Sequence, residues 1–193
     1  MCHVPEFEAK FLAGLGEIDA AYARQVREAG CEYCGGPLDR ADYPRKPRGE
    51  LGEAAGAYER RCSFCCRQDG CRKRATPPSL RFLGRKVYVA VWVVVASVAG
   101  QATKRTGRGR PRRVHGVPTR TVLRWLDWWQ TVFGLGAFWS EAMGYFATPV
   151  EVTGLPTTLL ARFGRGPAAL EKTLRFTSPI TTTSVRARIA MAV

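Results

Sequence analysis

Six cysteines gathered between residues 31 and 71 constrain this 193-residue chain more than any other feature. In Cys31-Glu32-Tyr33-Cys34-Gly35-Gly36 two thiols stand three residues apart, a spacing at which both sulfurs grip one tetrahedral ion. The glycine that follows lets the backbone turn tightly beneath them. Alone, a Cys-x-x-Cys pair is equally a redox motif. A second cluster, Cys62-Ser63-Phe64-Cys65-Cys66 with Cys71, follows a segment punctuated by Pro44, Pro47, Gly49, Gly52 and Gly56, which reads as a hairpin or loop. Two thiol pairs bridged by a hairpin too small to bury a core point to a metal site that holds the fold.

Which thiols complete that site is open at this level. Cys62 and Cys65 have the ideal spacing but no following glycine, whereas Cys66 and Cys71 enclose four residues and Gly70 supplies a turn. The ligand set taken is Cys31, Cys34, Cys66 and Cys71, with Cys65 as the first substitute and Cys62 filling a small apolar site. Cys2, near the terminus, is left out. The expected cofactor is zinc, the expected plan is a zinc ribbon, and a closed four-cysteine site is structural, not catalytic.

No basic segment followed by an apolar run opens the chain, and its longest apolar stretch, residues 87–100, is shorter than the ~20 residues a membrane span needs. The expectation is a cytoplasmic protein with no membrane partner, whose cysteines are metal ligands or structural thiols and not a disulfide framework.

Charge supplies the second constraint. There are 30 Lys+Arg against 16 Asp+Glu, a net +14, and arginine outnumbers lysine 24 to 6. The excess is concentrated. Residues 60–86 carry nine basic residues and one acidic, residues 104–124 carry eight basic and none acidic, and residues 87–103 carry no charge. Segregation of this kind is the footprint of a phosphate-binding surface, and guanidinium suits phosphates and guanine edges. In the first block Arg72, Lys73 and Arg74 are candidate phosphate contacts. The second block offers Arg108, Arg110, Arg112, Arg113, Arg120 and Arg124. Arg108-Gly109-Arg110-Pro111 resembles the core of an AT-hook, an extended arm lying in a narrow minor groove.

Periodicity predicts helices over residues 6–29, from about Arg85 to Gly100, and over 119–133, where Val122, Trp125, Leu126, Trp129, Val132 and Phe133 make one stripe. Two shorter helices are predicted over 157–163 and 167–176. Thr119 is the expected N-cap of the Trp-rich helix, Ser79 a candidate cap after Pro77-Pro78, and residues 101–117 a polar loop. The fold class is α+β: an N-terminal helix (1–30), a zinc ribbon (31–79), a mainly helical region with a candidate helix-turn-helix (80–176), and a mobile tail (177–193). Arg120 and Arg124 lie on the first turns of the candidate recognition helix, opposite much of the Trp stripe.

The Cys-x-x-Cys-Gly knuckle, the Ser63-Phe64-Cys65-Cys66 strand end, and Gly70-Cys71-Arg72-Lys73-Arg74 through Pro77-Pro78-Ser79 resemble small bacterial proteins found with insertion sequences. They are also similar in plan to the N-terminal zinc-ribbon and helix-turn-helix part of some transposases. The resemblance covers residues 31–133 and implies DNA binding within a mobile-element system, with a transposase or a second copy of the chain as protein partner. A complete transposase needs three spaced carboxylates for two metal ions. Beyond residue 125 only Asp127, Glu141, Glu151 and Glu171 remain, with no βαβ alternation around them. The expected function is therefore non-catalytic double-stranded DNA binding, as an accessory or regulator. An RNA-binding ribbon module, an inactive or partial transposase, and a protein–protein adaptor built on the five tryptophans are the alternatives.

Overall fold

Helix α1, Ala9–Ala29, buries Leu12, Leu15, Asp19, Ala23 and Val26 on one stripe, so its core face includes a carboxylate. Gly14 and Gly16 leave it unbroken, and Gly30, at φ 73°, ends it by donating its N–H to the Arg27 carbonyl. The computed structural model describes residues 7–84, 86–105 and 112–183, which divide into two compact units. The first is Phe7–Ala90 with the described residues after Thr173, and the second is Val91–Thr173.

In the first unit a three-stranded antiparallel sheet is ordered β1 (Leu38–Arg40), β4 (Phe64–Cys66), β5 (Arg74–Ala75). Strands β2 (Tyr43–Pro44) and β3 (Arg60–Arg61) pair separately, and between them runs a 3-10 turn, Gly52–Tyr58. Leu38 stands opposite Cys66 and Phe64 opposite Ala75. The sheet side chains Leu38, Phe64 and Cys66 cluster with Cys31 and with Ala23 and Val26 of α1.

The segment after Pro78 departs from expectation. Ser79 caps no helix. Its hydroxyl donates to the Asp19 carboxylate and accepts the N–H groups of Arg81 and Phe82. Tyr88 bridges to Arg48, whose N–H donates to the Val87 carbonyl and whose carbonyl accepts from the Val89 N–H, and Val89 bridges to Phe82. Helix α2 therefore starts at Ala90, not near Arg85; the strand propensity of the valines prevails until residue 89. The residues expected to open a mobile tail also have fixed partners. Ser178–Thr181 make a 3-10 turn, the Thr182 hydroxyl donates to the Thr76 carbonyl at 2.6 Å, and the Thr181 hydroxyl accepts the Ser79 N–H at 2.8 Å. Hydroxyl-to-backbone bonds order this stretch without any hydrophobic period.

In the second unit α2, Ala90–Arg105, runs through Gly100 instead of stopping there. A Cβ at Gly100 would lie 2.5 Å from Cγ1 of Val122, so this glycine permits close helix packing and is no cap. The predicted loop contains a hairpin, β6 (Arg113–Val114) with β7 (Val117–Pro118). Its two-residue turn, His115-Gly116, has both φ angles positive, as a tight twisted hairpin requires. The Trp-rich helix forms as expected: α3, Thr119–Trp128, continues as a π turn over Trp129–Phe133. Thr119 is its first residue, not its cap. Trp129 is fully buried, its ring 4.8 Å from that of Phe133, and Phe133 lies 5.2 Å from Trp139 on α4, Ala137–Ala142, a helix too short to show a period. Helices α5 (Thr157–Arg162) and α6 (Gly166–Thr177) stand where periodicity placed them.

Candidate metal centre and basic surface

Two cysteine-bearing turns meet at one end of the sheet, one preceding β1 and the other joining β4 to β5. After α1 the Gly35 N–H donates to the Cys31 carbonyl at 2.7 Å and the Cys31 N–H to the Gly36 carbonyl at 2.9 Å, with Gly35 at φ 71°. Between β4 and β5 the Cys71 N–H donates to the Gln68 carbonyl at 3.1 Å, with Gly70 at φ 81°. These turns bring Cys31, Cys34, Cys66 and Cys71 together, their sulfurs all within 4.8 Å of one another. The Cys31–Cys71 separation is 3.7 Å and the Cys34–Cys66 separation 3.4 Å. A tetrahedral ion with metal–sulfur bonds of ~2.3 Å requires sulfurs about 3.8 Å apart, so the cage fits such an ion.

Four thiols this close cannot all lose their protons unless a cation shares the charge. Burial pushes the Cys66 thiol up to about 12. Burial acts in the same direction on Cys31, but the N–H groups of Tyr33 and Cys34 and the neighbouring sulfurs outweigh it and hold the thiol at about 7. Metal entry at such a set is therefore coupled to proton release, above all from Cys66.

Cys65, the sequence's first substitute, lies outside the cage, with its sulfur 3.5 Å from the Arg72 carbonyl oxygen. Neighbours on a strand point to opposite faces, so Cys65 and Cys66 cannot both serve one ion. Cys62 packs beside the sheet cluster, and burial, with Asp42 nearby, pushes its thiol up to about 11. One site residue escaped the sequence reading. A Cβ on Gly36 would sit 3.3 Å from the Cys34 sulfur and 3.4 Å from the Cys66 sulfur. The Gly-Gly pair was the available signal.

Of the first basic block, Arg72, Lys73 and Arg74 are exposed. Lys73 lies over the Tyr33 ring, 5.5 Å from its centroid, and Arg74 donates to the Ala41 carbonyl and the Ser63 hydroxyl. Arg61 and Arg81 are buried, which removes two of that block's cations from the surface. In the second block Arg112, Arg113, Arg120 and Arg124 are all exposed on the β6–β7 hairpin and the first turns of α3, while Val122, Trp125 and Leu126 face inward. Arg108 and Arg110, with the Arg-Gly-Arg-Pro arm, lie outside the described residues. Helices α2 and α3 are separated by that hairpin instead of the three- or four-residue turn of a helix-turn-helix.

Asp127 and Glu151 line one cavity of about 610 Å³, between α2, α3 and residues 151–158. Among the described residues the four cysteines are the only cluster of three or more metal-ligating side chains, so no third carboxylate there joins that pair. No described helix is long and apolar enough to cross a membrane. Compared with protein-family models, curated proteins and solved structures, the chain matches none.

Proposed function

We propose that the chain binds double-stranded DNA through the β6–β7 hairpin and the first turns of α3, and that its four-cysteine cage holds a structural zinc. The observation that carries the DNA reading is the exposure of Arg112, Arg113, Arg120 and Arg124 on one hairpin–helix module, in a stretch with no acidic residue from 104 to 124. Arg120 sits in the first turn of α3, where the helix dipole already repels cations. A polyanion offsets that repulsion. Zinc suits the cage because four thiolates are soft ligands and the closed geometry leaves no open position for chemistry. The role is accessory and non-catalytic, and its place beside a mobile element rests on the resemblance of residues 31–133.

The test is a salt titration on a preferred and a scrambled duplex, with single-stranded RNA as competitor. Arg120→Ala or Arg124→Ala should cost about 1–3 kcal/mol on the preferred site only. Arg112→Ala with Arg113→Ala should weaken all duplexes alike and lower the salt slope by about one per lost phosphate contact. If the Arg120 and Arg124 variants keep wild-type preference, α3 reads no bases. Stronger competition by RNA than by duplex would transfer the reading to RNA.

Strand cleavage is the second measurement. No nicking is expected with Mg²⁺ or Mn²⁺, because Asp127 and Glu151 lack a third carboxylate among the described residues. Reproducible nicking that disappears in Glu151→Gln would make the chain a nuclease.

A further inference from the structure

The first unit contains a cavity of about 440 Å³ whose lining includes Arg45, Arg61, Arg74, Thr76, Thr181 and Thr183, with no carboxylate among its lining residues. Arg61 is only 3% exposed, yet its described hydrogen bonds reach only neutral acceptors, the carbonyls of Pro77 and Thr181. Its second terminal nitrogen, Nη1, is buried without a hydrogen-bond partner among the described residues. Among the described residues, the fully buried carboxylate here, Asp19, is engaged by Arg81 at 2.8 Å, by Ser79 and by the Leu80 N–H, and the largely buried Asp42 is paired with Arg40 at 2.7 Å. Two buried guanidinium groups therefore share one buried anion. An uncompensated charge in a protein interior is costly, and its usual remedy is a counter-ion at hydrogen-bonding distance. Burial correspondingly lowers the proton affinity of Arg61.

The cavity also opens outward, since Arg74 and Thr183 are exposed. Its polar groups are guanidinium forks and hydroxyls, which donate to tetrahedral oxyanions from several directions.

We propose that this cavity is a phosphate-binding site in which Arg61, Arg45 and Arg74 supply the charge and the Thr183 hydroxyl, which accepts the Thr76 N–H, supplies a further donor. The reading stands apart from duplex recognition by α3. The phosphate is either free in solution or a phosphodiester of a nucleic-acid backbone, and the two sources are separable.

The experiment uses the full, metal-loaded chain. Its melting temperature and heat of binding are followed against inorganic phosphate, with chloride and acetate at matched ionic strength. Phosphate should stabilise saturably, and chloride and acetate should not. Arg74→Gln should weaken phosphate binding about tenfold, the loss of one charge-assisted contact. Arg61→Met should abolish the phosphate response while removing the buried charge. Should that variant fail to fold, Thr183→Val and Arg74→Gln at the exposed side keep the test decisive. If these variants lose inorganic phosphate but keep duplex affinity, the ligand is free phosphate. If both fall together, it is a backbone phosphodiester. Absence of a phosphate-specific response in the wild-type chain, or an undiminished response in Arg74→Gln, overturns the proposal.

Discussion

Cys31→Ser or Cys34→Ser is expected to abolish stoichiometric metal binding and to unfold residues 31–75. The strands of this region are two or three residues long, and the cluster they bury is small. Hairpins of that size are marginal in water without a staple. On the proposed zinc reading, the free energy of binding a structural zinc, about 10–16 kcal/mol at neutral pH, would act as folding free energy, comparable to the whole stability of an ordinary domain, about 5–15 kcal/mol. Cys62→Ser and Cys65→Ser serve as contrasts: both lie outside the cage and should keep one metal per chain. Metal analysis of freshly purified, reduced protein, with amide hydrogen exchange on β1, β4 and β5, reads both effects. Undiminished metal in Cys34→Ser, or none in the wild type, would remove the site. Acidification should release the ion, since each ligand sulfur must be deprotonated to bind and burial pushes the Cys66 thiol up to about 12.

Asp19→Ala should be the most damaging substitution away from the cage, costing about 3–5 kcal/mol, because it leaves a buried guanidinium without its anion. Asp19 accepts hydrogen bonds from the Ser79 hydroxyl, the Leu80 N–H and Arg81 Nε, and so ties α1 to the segment that follows the sheet. Arg81 would remain over the Tyr58 and Phe82 rings with no carboxylate, beside an Arg61 that already lacks one. Denaturant unfolding measures the loss. Asp39→Ala is the control: Asp39 also pairs with an arginine, Arg67, but both are exposed to solvent, which weakens such a pair. Equal effects from the two substitutions would show that burial at Asp19 contributes nothing.

Short-range signals carried most of the helices. The 3.6-residue stripe of Val122, Trp125, Leu126 and Trp129 marked α3, and Gly30 marked the end of α1, because each depends on residues within one or two turns. Where a long-range partner decided the conformation, the reading failed. Gly100 looks like a helix end in isolation, yet it is the place where the Val122 side chain must fit. Ser79 looks like a cap, yet a carboxylate sixty residues earlier in the chain claims its hydroxyl. His115-Gly116 forms a two-residue turn without the asparagine or aspartate that usually announces one.

At the cage, spacing and glycine placement favoured Cys31, Cys34, Cys66 and Cys71 but left Cys65 open as a substitute, because a tetrahedral site restricts each turn only locally. The exclusion of Cys65 needed the register of β4, which sets it on the opposite face from Cys66. Total charge was likewise written in the composition, but its distribution was not. The sequence counts Arg61, Arg81, Arg120 and Arg124 alike, and only packing buries the first two and leaves the others in solvent. A side chain's charge is local chemistry. Its access to water depends on residues distant in the chain, such as Asp19, Pro77 and Thr181, that fold around it.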